Sequence, residues 1–134
     1  MNRVNVIGLD GGLSEPALDA IRQAEVLAGG RRQLEAFPEH AAERIEIGAG
    51  IDRAILAVGA ALDAGRRTVV LASGDPLLFG IGATLVRELG RERVRVLPGV
   101  SSIQQAFAGI GEPWHDAAIL SAHGRPLDGV IAAA

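Results

Sequence analysis

Val4 and Val6 alternate with polar neighbours in Arg3-Val4-Asn5-Val6-Ile7, a strand pattern that runs into the flexible segment Gly8-Leu9-Asp10-Gly11-Gly12. Ser14 is placed to cap a helix that Pro16 helps to start, and Leu18, Ile21 and Ala24 recur along it at helical spacing. Val26-Leu27-Ala28 returns to a short apolar run. Gly29-Gly30 breaks it, Arg31 to Phe37 predicts a short helix stopped by Pro38, and Arg44 to Ile47 predicts a strand. Ile51, Ile55, Val58 and Leu62 then mark one helix face, which Gly65 closes as a left-handed cap. The β-branched run Thr68-Val69-Val70-Leu71-Ala72 predicts a strand buried on both faces. Ile81, Leu85 and Leu89 give another helix face ended by Gly90, and Val94 to Leu97 another strand. Pro98-Gly99-Val100-Ser101-Ser102 turns the chain into a helix expected to bury Ile103, Ala106, Phe107 and Ile110 until Gly111 and Pro113 end it. Ala117 to Leu120 is expected as a last strand, and Gly129 to Ala134 as an interrupted helix start.

Strands that alternate with helices predict an α/β fold: an open, mostly parallel sheet with helices on both faces and right-handed crossovers. Ligands of such sheets bind beyond the carboxyl ends of the strands, so the loops after Ile7, Ala72, Leu97 and Leu120 are the functional candidates.

Composition narrows the function classes. A chain of 134 residues with 49% apolar and 22% charged residues is long enough for one packed core, which excludes a disordered tail. No apolar run approaches the roughly 20 residues needed to cross a bilayer, and a cytoplasmic location is expected. The absence of Cys excludes disulfides and thiolate chemistry, and the scattered His40, His115 and His123 give no metal-ligand spacing. A net charge of −3 and 3% aromatic residues argue against a nucleic-acid partner, which would demand a clustered basic surface. The paired arginines at 31–32 and 66–67, and Arg91, Arg93 and Arg95, fit a solvated face.

The loops carry the chemistry. Gly8 to Gly12 lacks the G-x-G-x-x-G spacing of dinucleotide sites, and no G-x-x-x-x-G-K-[ST] loop supports triphosphate hydrolysis. Ala72-Ser73-Gly74-Asp75-Pro76 ends a buried strand in a turn where Gly permits close approach and Asp orders neighbouring amides, although such a turn also occurs without a ligand. Pro98 to Ser102 repeats the theme with two hydroxyls and helix-terminal amides, where Ser101 can equally be a plain cap. Two such loops at successive strand ends point to a shared cleft. Gly74 in particular is expected to hold its backbone open to that cleft.

Leu71-Ala72-Ser73-Gly74-Asp75-Pro76-Leu77-Leu78-Phe79-Gly80-Ile81-Gly82, followed by Pro98-Gly99-Val100-Ser101-Ser102, resembles the tetrapyrrole methylases of corrin synthesis. Gly29-Gly30-Arg31-Arg32-Gln33-Leu34, Gly111-Glu112-Pro113-Trp114 and His123-Gly124-Arg125 are similar to the precorrin C5-methyltransferase branch, alone or fused to a C15-methylating, decarboxylating domain. The resemblance implies that residues 1–125 form the first of two α/β domains, that 126–134 begin a linker to a missing second one, and that the fragment is inactive alone. It implies S-adenosyl-L-methionine as cofactor, with Gly74, Asp75 and Pro76 lining its site and Leu77, Ser101 and Ser102 nearby. Two departures stand out: Asp10-Gly11-Gly12 replaces the usual Gly-Pro-Gly, and Gln33 stands where His is usual.

The implied methyl transfer from a sulfonium needs positioning rather than an acid, so no catalytic residue is assigned. Asp10 and His123 are candidates on the substrate side, as a base or as structural groups. Arg31, Arg32 and Arg125 either pair with carboxylates of a precorrin or remain solvated. A homodimer is expected because Trp114, Leu78 and Phe79 exceed what a small core can hold. Two rivals remain: an RNA or protein methylase of the same fold, and a non-catalytic nucleotide- or phosphate-binding module.

Overall fold

The computed structural model describes residues 2–122, in two compact units that divide after Ser102. The first unit is built on period-two alternation in five strands: β1 (Val4–Gly8), β2 (Val26–Gly29), β3 (Glu43–Glu46), β4 (Thr68–Ala72) and β5 (Val94–Leu97). They form one sheet of order β3-β2-β4-β1-β5, and every pairing is parallel. β4 is buried along its whole length, as its β-branched run predicts.

The alternation sends side chains to two cores. Val4, Val6, Ala28, Val70 and Val94 meet α3 (Ile51–Asp63) and α4 (Ile81–Leu89) through Ile55, Val58, Leu62 and Leu85 on one face. Ile7, Leu27, Val69 and Leu71 meet α1 (Glu15–Gln23) and α2 (Arg31–Glu35) through Ala17, Ile21 and Leu34 on the other. The helix ends follow local chemistry. Ser14 Oγ accepts the Ala17 N–H at 3.3 Å, capping α1. At the end of α3, Gly65 (φ +75°) donates to the Leu62 carbonyl and Arg66 to that of Ala61, the paired bonds of a Schellman motif. The first residue of the expected α3 face, Ile51, is exposed, at the opening turn of the helix.

Arg66 and Arg67 are not simply solvated: they pair with Glu43 and Glu25 at the amino-terminal ends of the strands. Arg44 ties the α2–β3 connection together, donating to the carbonyls of Leu34, Phe37 and His40.

The second unit departs from the sequence expectation. Its helix α5 (Ser102–Ile110) ends at Gly111 (φ +69°) as expected. None of its residues is buried, however: Ala106 and Ile110 are exposed, and Ile103 and Phe107 only half covered. Phe107 instead stacks on Trp114, ring centres 6.0 Å apart. Ala117 to Leu120 forms no strand. The Ala117 N–H is taken by the Trp114 carbonyl in a turn, at 3.0 Å, and a four-residue apolar run opening with two alanines has little strand preference to oppose it. His123, Arg125, the linker from 126 and the expected helix start at 129–134 lie outside the described residues.

Candidate functional site

The topology selects one crevice. β1 and β4 are neighbours, yet the helices that follow them, α1 and α4, pack on opposite faces of the sheet. The loops leaving two such strands part company, opening a gap at their carboxyl ends.

That gap is closed from below by backbone rather than side chains. Leu9 N–H donates to the Ala72 carbonyl at 2.9 Å, Gly99 N–H to the Gly74 carbonyl at 3.0 Å, and Val100 N–H to the Asp10 carbonyl at 2.9 Å. The Asp10 carboxylate accepts the Gly74 N–H at 2.6 Å. The loops after β1, β4 and β5 are thus laced into one floor. Gly8 and Gly99 make it possible: a Cβ at Gly8 would lie 2.0 Å from the Gly74 carbonyl oxygen, and one at Gly99 2.7 Å from the same atom.

The segment after β4 winds around Pro76, which is fully buried. Asp75 Oδ1 accepts the Leu77 N–H at 2.9 Å, the Asp75 carbonyl accepts the Leu78 N–H, and the Pro76 carbonyl accepts the Gly82 N–H at 2.9 Å. This compact turn forces Phe79 to φ +53°, an uncommon conformation for an aromatic residue.

The six expected cofactor residues therefore divide. Asp75 is half-buried, and Leu77 and Ser102 are exposed, so all three present surface. Gly74, Pro76 and Ser101 are buried and shape that surface from behind. The expectation that Gly74 opens to a cleft is corrected. Its φ is +60°, and a Cβ there would face Ser101 Cα at 3.3 Å, so Gly is required by loop packing, and a valine would strain the fold itself.

Of the expected substrate-side residues, Asp10 and Arg32 come together. With Leu9, Gln33, Ala72 and Ser73 they line a polar cavity of about 280 Å³ at the β1–β4 gap. Arg31 does not join them, because it pairs with Glu46 at 3.0 Å on the rim beside β3. Arg32 makes no ion pair among the described residues. Ser73 and the glycines at 8 and 99 were not singled out from sequence. Their signal was position: Ser73 and Gly99 stand one and two residues past a strand, and Gly8 is the last residue of one. Among the described residues no group of three His, Asp or Glu could hold a metal ion, and no helix is long and apolar enough to cross a membrane.

A five-stranded parallel sheet with glycine-laced loops at its switch point defines an open α/β domain. The chain belongs to the Tetrapyrrole (Corrin/Porphyrin) Methylases, whose profile matches residues 7–133. It is 44% identical over 113 residues to the cobalt-precorrin-7 C(5)-methyltransferase of Salmonella typhimurium, covering 84% of this chain and 55% of that protein. Over 125 residues it is 41% identical to the precorrin-6Y C(5,15)-methyltransferase [decarboxylating] of a Sinorhizobium species, covering 91% of this chain and 30% of that one. The crystal structure of the Archaeoglobus fulgidus precorrin-6Y methylase superposes with a TM-score of 0.71 at 25% identity, over 92% of this chain and 65% of that one. The chain spans about half the length of the Salmonella relative.

Proposed function

We propose that the chain is the cofactor-side domain of an S-adenosyl-L-methionine-dependent methyltransferase that acts at C5 of a precorrin in cobalamin biosynthesis, in the cytoplasm. The observation that carries it is the meeting of the Gly74–Leu77 and Gly99–Ser102 loops at the switch point of a tetrapyrrole methylase sheet. The names of the C5-methylating relatives support the substrate and the carbon. The Sinorhizobium relative supports a fused C15-methylating, decarboxylating partner as a variant of the same arrangement.

The residues present fit one wall of a cofactor site. Asp75 and Leu77 stand two and four residues past Ser73, which lines the adjoining polar cavity of about 280 Å³. Bound against these loops, S-adenosyl-L-methionine would supply a methyl group on a sulfonium whose leaving group departs neutral. The chain's task is then to bind and orient, which contributes up to roughly 7–11 kcal/mol when reacting atoms are held in line. Asp75, Leu77 and Ser102 face the cofactor, and the buried Gly74, Pro76 and Ser101 fix their positions. Arg32, without an ionic partner beside the cavity, offers its guanidinium fork to a precorrin carboxylate. Arg31, held by Glu46, contributes less.

The test is methyl transfer from labelled S-adenosyl-L-methionine to a precorrin unmethylated at C5, by the chain and by any longer product of its gene, with the carbon located by mass spectrometry. Titration of the chain with S-adenosylhomocysteine, ATP and inorganic phosphate accompanies it. Transfer to C5 by a longer product, and selective binding of the homocysteine compound by the chain, are expected. Equal binding of ATP or phosphate, without transfer, would favour a nucleotide-binding module, and transfer to RNA or protein instead would refute the substrate.

A further inference from the structure

We propose that Asp10 is a positioning residue for the loop that carries Gly74-Asp75-Pro76, an inference that rests on the cofactor reading above. The pattern of bonds singles it out. Its side chain accepts the Gly74 N–H at 2.6 Å while its main-chain carbonyl accepts the Val100 N–H at 2.9 Å, so one residue of the β1 loop holds the loops after β4 and β5 together.

Gly74 needs such a partner. It lies two residues beyond β4, where no neighbouring strand takes its amide, and it is buried, so an unmade bond would be costly. Sterics do not fix its peptide plane, because glycine at φ +60° has no Cβ to restrict it. The bond to a charged acceptor supplies the missing restraint. It also sets the far side of the same peptide. Across a trans bond the Ser73 carbonyl points opposite to the Gly74 N–H, and it is therefore turned away from the β1 loop, at the residue that lines the cavity. Asp10 acts on the cofactor through this peptide.

The experiment uses isotopically labelled chain, the variants Asp10→Ala and Asp10→Asn, and nuclear magnetic resonance. Two quantities are read: the exchange rate of the Gly74 amide without ligand, and the Kd for S-adenosylhomocysteine. In Asp10→Ala, Gly74 exchange should accelerate and affinity should fall, each about 10- to 100-fold, while amides in β1 and β4 keep their protection. Asp10→Asn retains a carbonyl acceptor and should restore both to within about threefold of the parent, an outcome that general destabilisation would not produce. Asp10→Ala with both quantities unchanged would overturn the proposal. So would Asp10→Asn behaving like Asp10→Ala, and this arm still decides if the alanine variant does not fold. If the parent chain shows no binding yet Gly74 exchange responds as expected, the tether stands and the cofactor reading fails.

Discussion

Replacing Gly8 by alanine tests whether the floor of the site is an interlock of backbones. The added Cβ would lie 2.0 Å from the Gly74 carbonyl oxygen and 2.4 Å from the Gly99 nitrogen, where contacts under 3.0 Å are essentially never seen. Neither neighbour is a side chain that can rotate away. One loop has to retreat by about 1 Å, an overpacking that costs about 1–3 kcal/mol. The retreat also opens the 3.0 Å bond from Gly99 N–H to the Gly74 carbonyl, which adds about 0.5–1.5 kcal/mol. A total of roughly 2–4 kcal/mol lowers the melting temperature of a domain this size by roughly 10 °C. Gly12→Ala is the comparison. Gly12 has φ +90° but nothing within 4 Å of its would-be Cβ, so the substitution costs only conformational strain of about 1 kcal/mol. Urea unfolding of the two variants and the parent, read as midpoints at constant m, measures the difference. If Gly8→Ala loses no more stability than Gly12→Ala, the interlock does not exist as described.

Arg44→Ala should raise amide exchange between Phe37 and Ala42 and cost about 1–2 kcal/mol, because three carbonyls lose one shared donor. Neutralising the exposed helical pair of Asp19 and Arg22 should, by contrast, move stability by less than about 0.5 kcal/mol in thermal unfolding. The 134-residue chain should transfer no methyl group unaided, since a cofactor held against one wall stays open to water; turnover equal to that of a longer product would contradict this. Sedimentation should show a homodimer. Of the three residues expected to favour it, Phe79 and Trp114 are exposed and Leu78 is half-buried.

Where neighbouring residues alone decide a structure, the sequence was readable. β4 is announced by five consecutive residues suited to a doubly covered strand, and the end of α3 by a glycine whose left-handed φ completes a local pair of bonds. The same holds for Ser14 and α1. Partners distant in sequence were the obstacle. Nothing near Asp10 says that its carboxylate will meet an amide 64 residues away, so the sequence leaves it between a substrate-side base and a structural group. Nothing near Gly74 tells a glycine that faces a ligand from one that faces Ser101. Ala117 to Leu120 failed for a related reason: alternation and apolarity describe what a strand would bury, but a strand also needs a neighbour, and here the first amide bonds within a turn.

The strand order has a consequence for how the chain comes into being. β1 is made first and ends between β4 and β5, so neither of its pairing partners exists while it leaves the ribosome. At ~5–20 residues per second, Thr68–Ala72 follows roughly 3–13 s later. Throughout that interval Val4, Val6 and Ile7, all fully buried once folded, have no sheet to enter, while β2 and β3 can already pair with each other. The nascent chain therefore carries an unpaired apolar strand ahead of β2 and β3, a natural target for a holding chaperone, and the step that assembles the crevice is the same step that finally buries it.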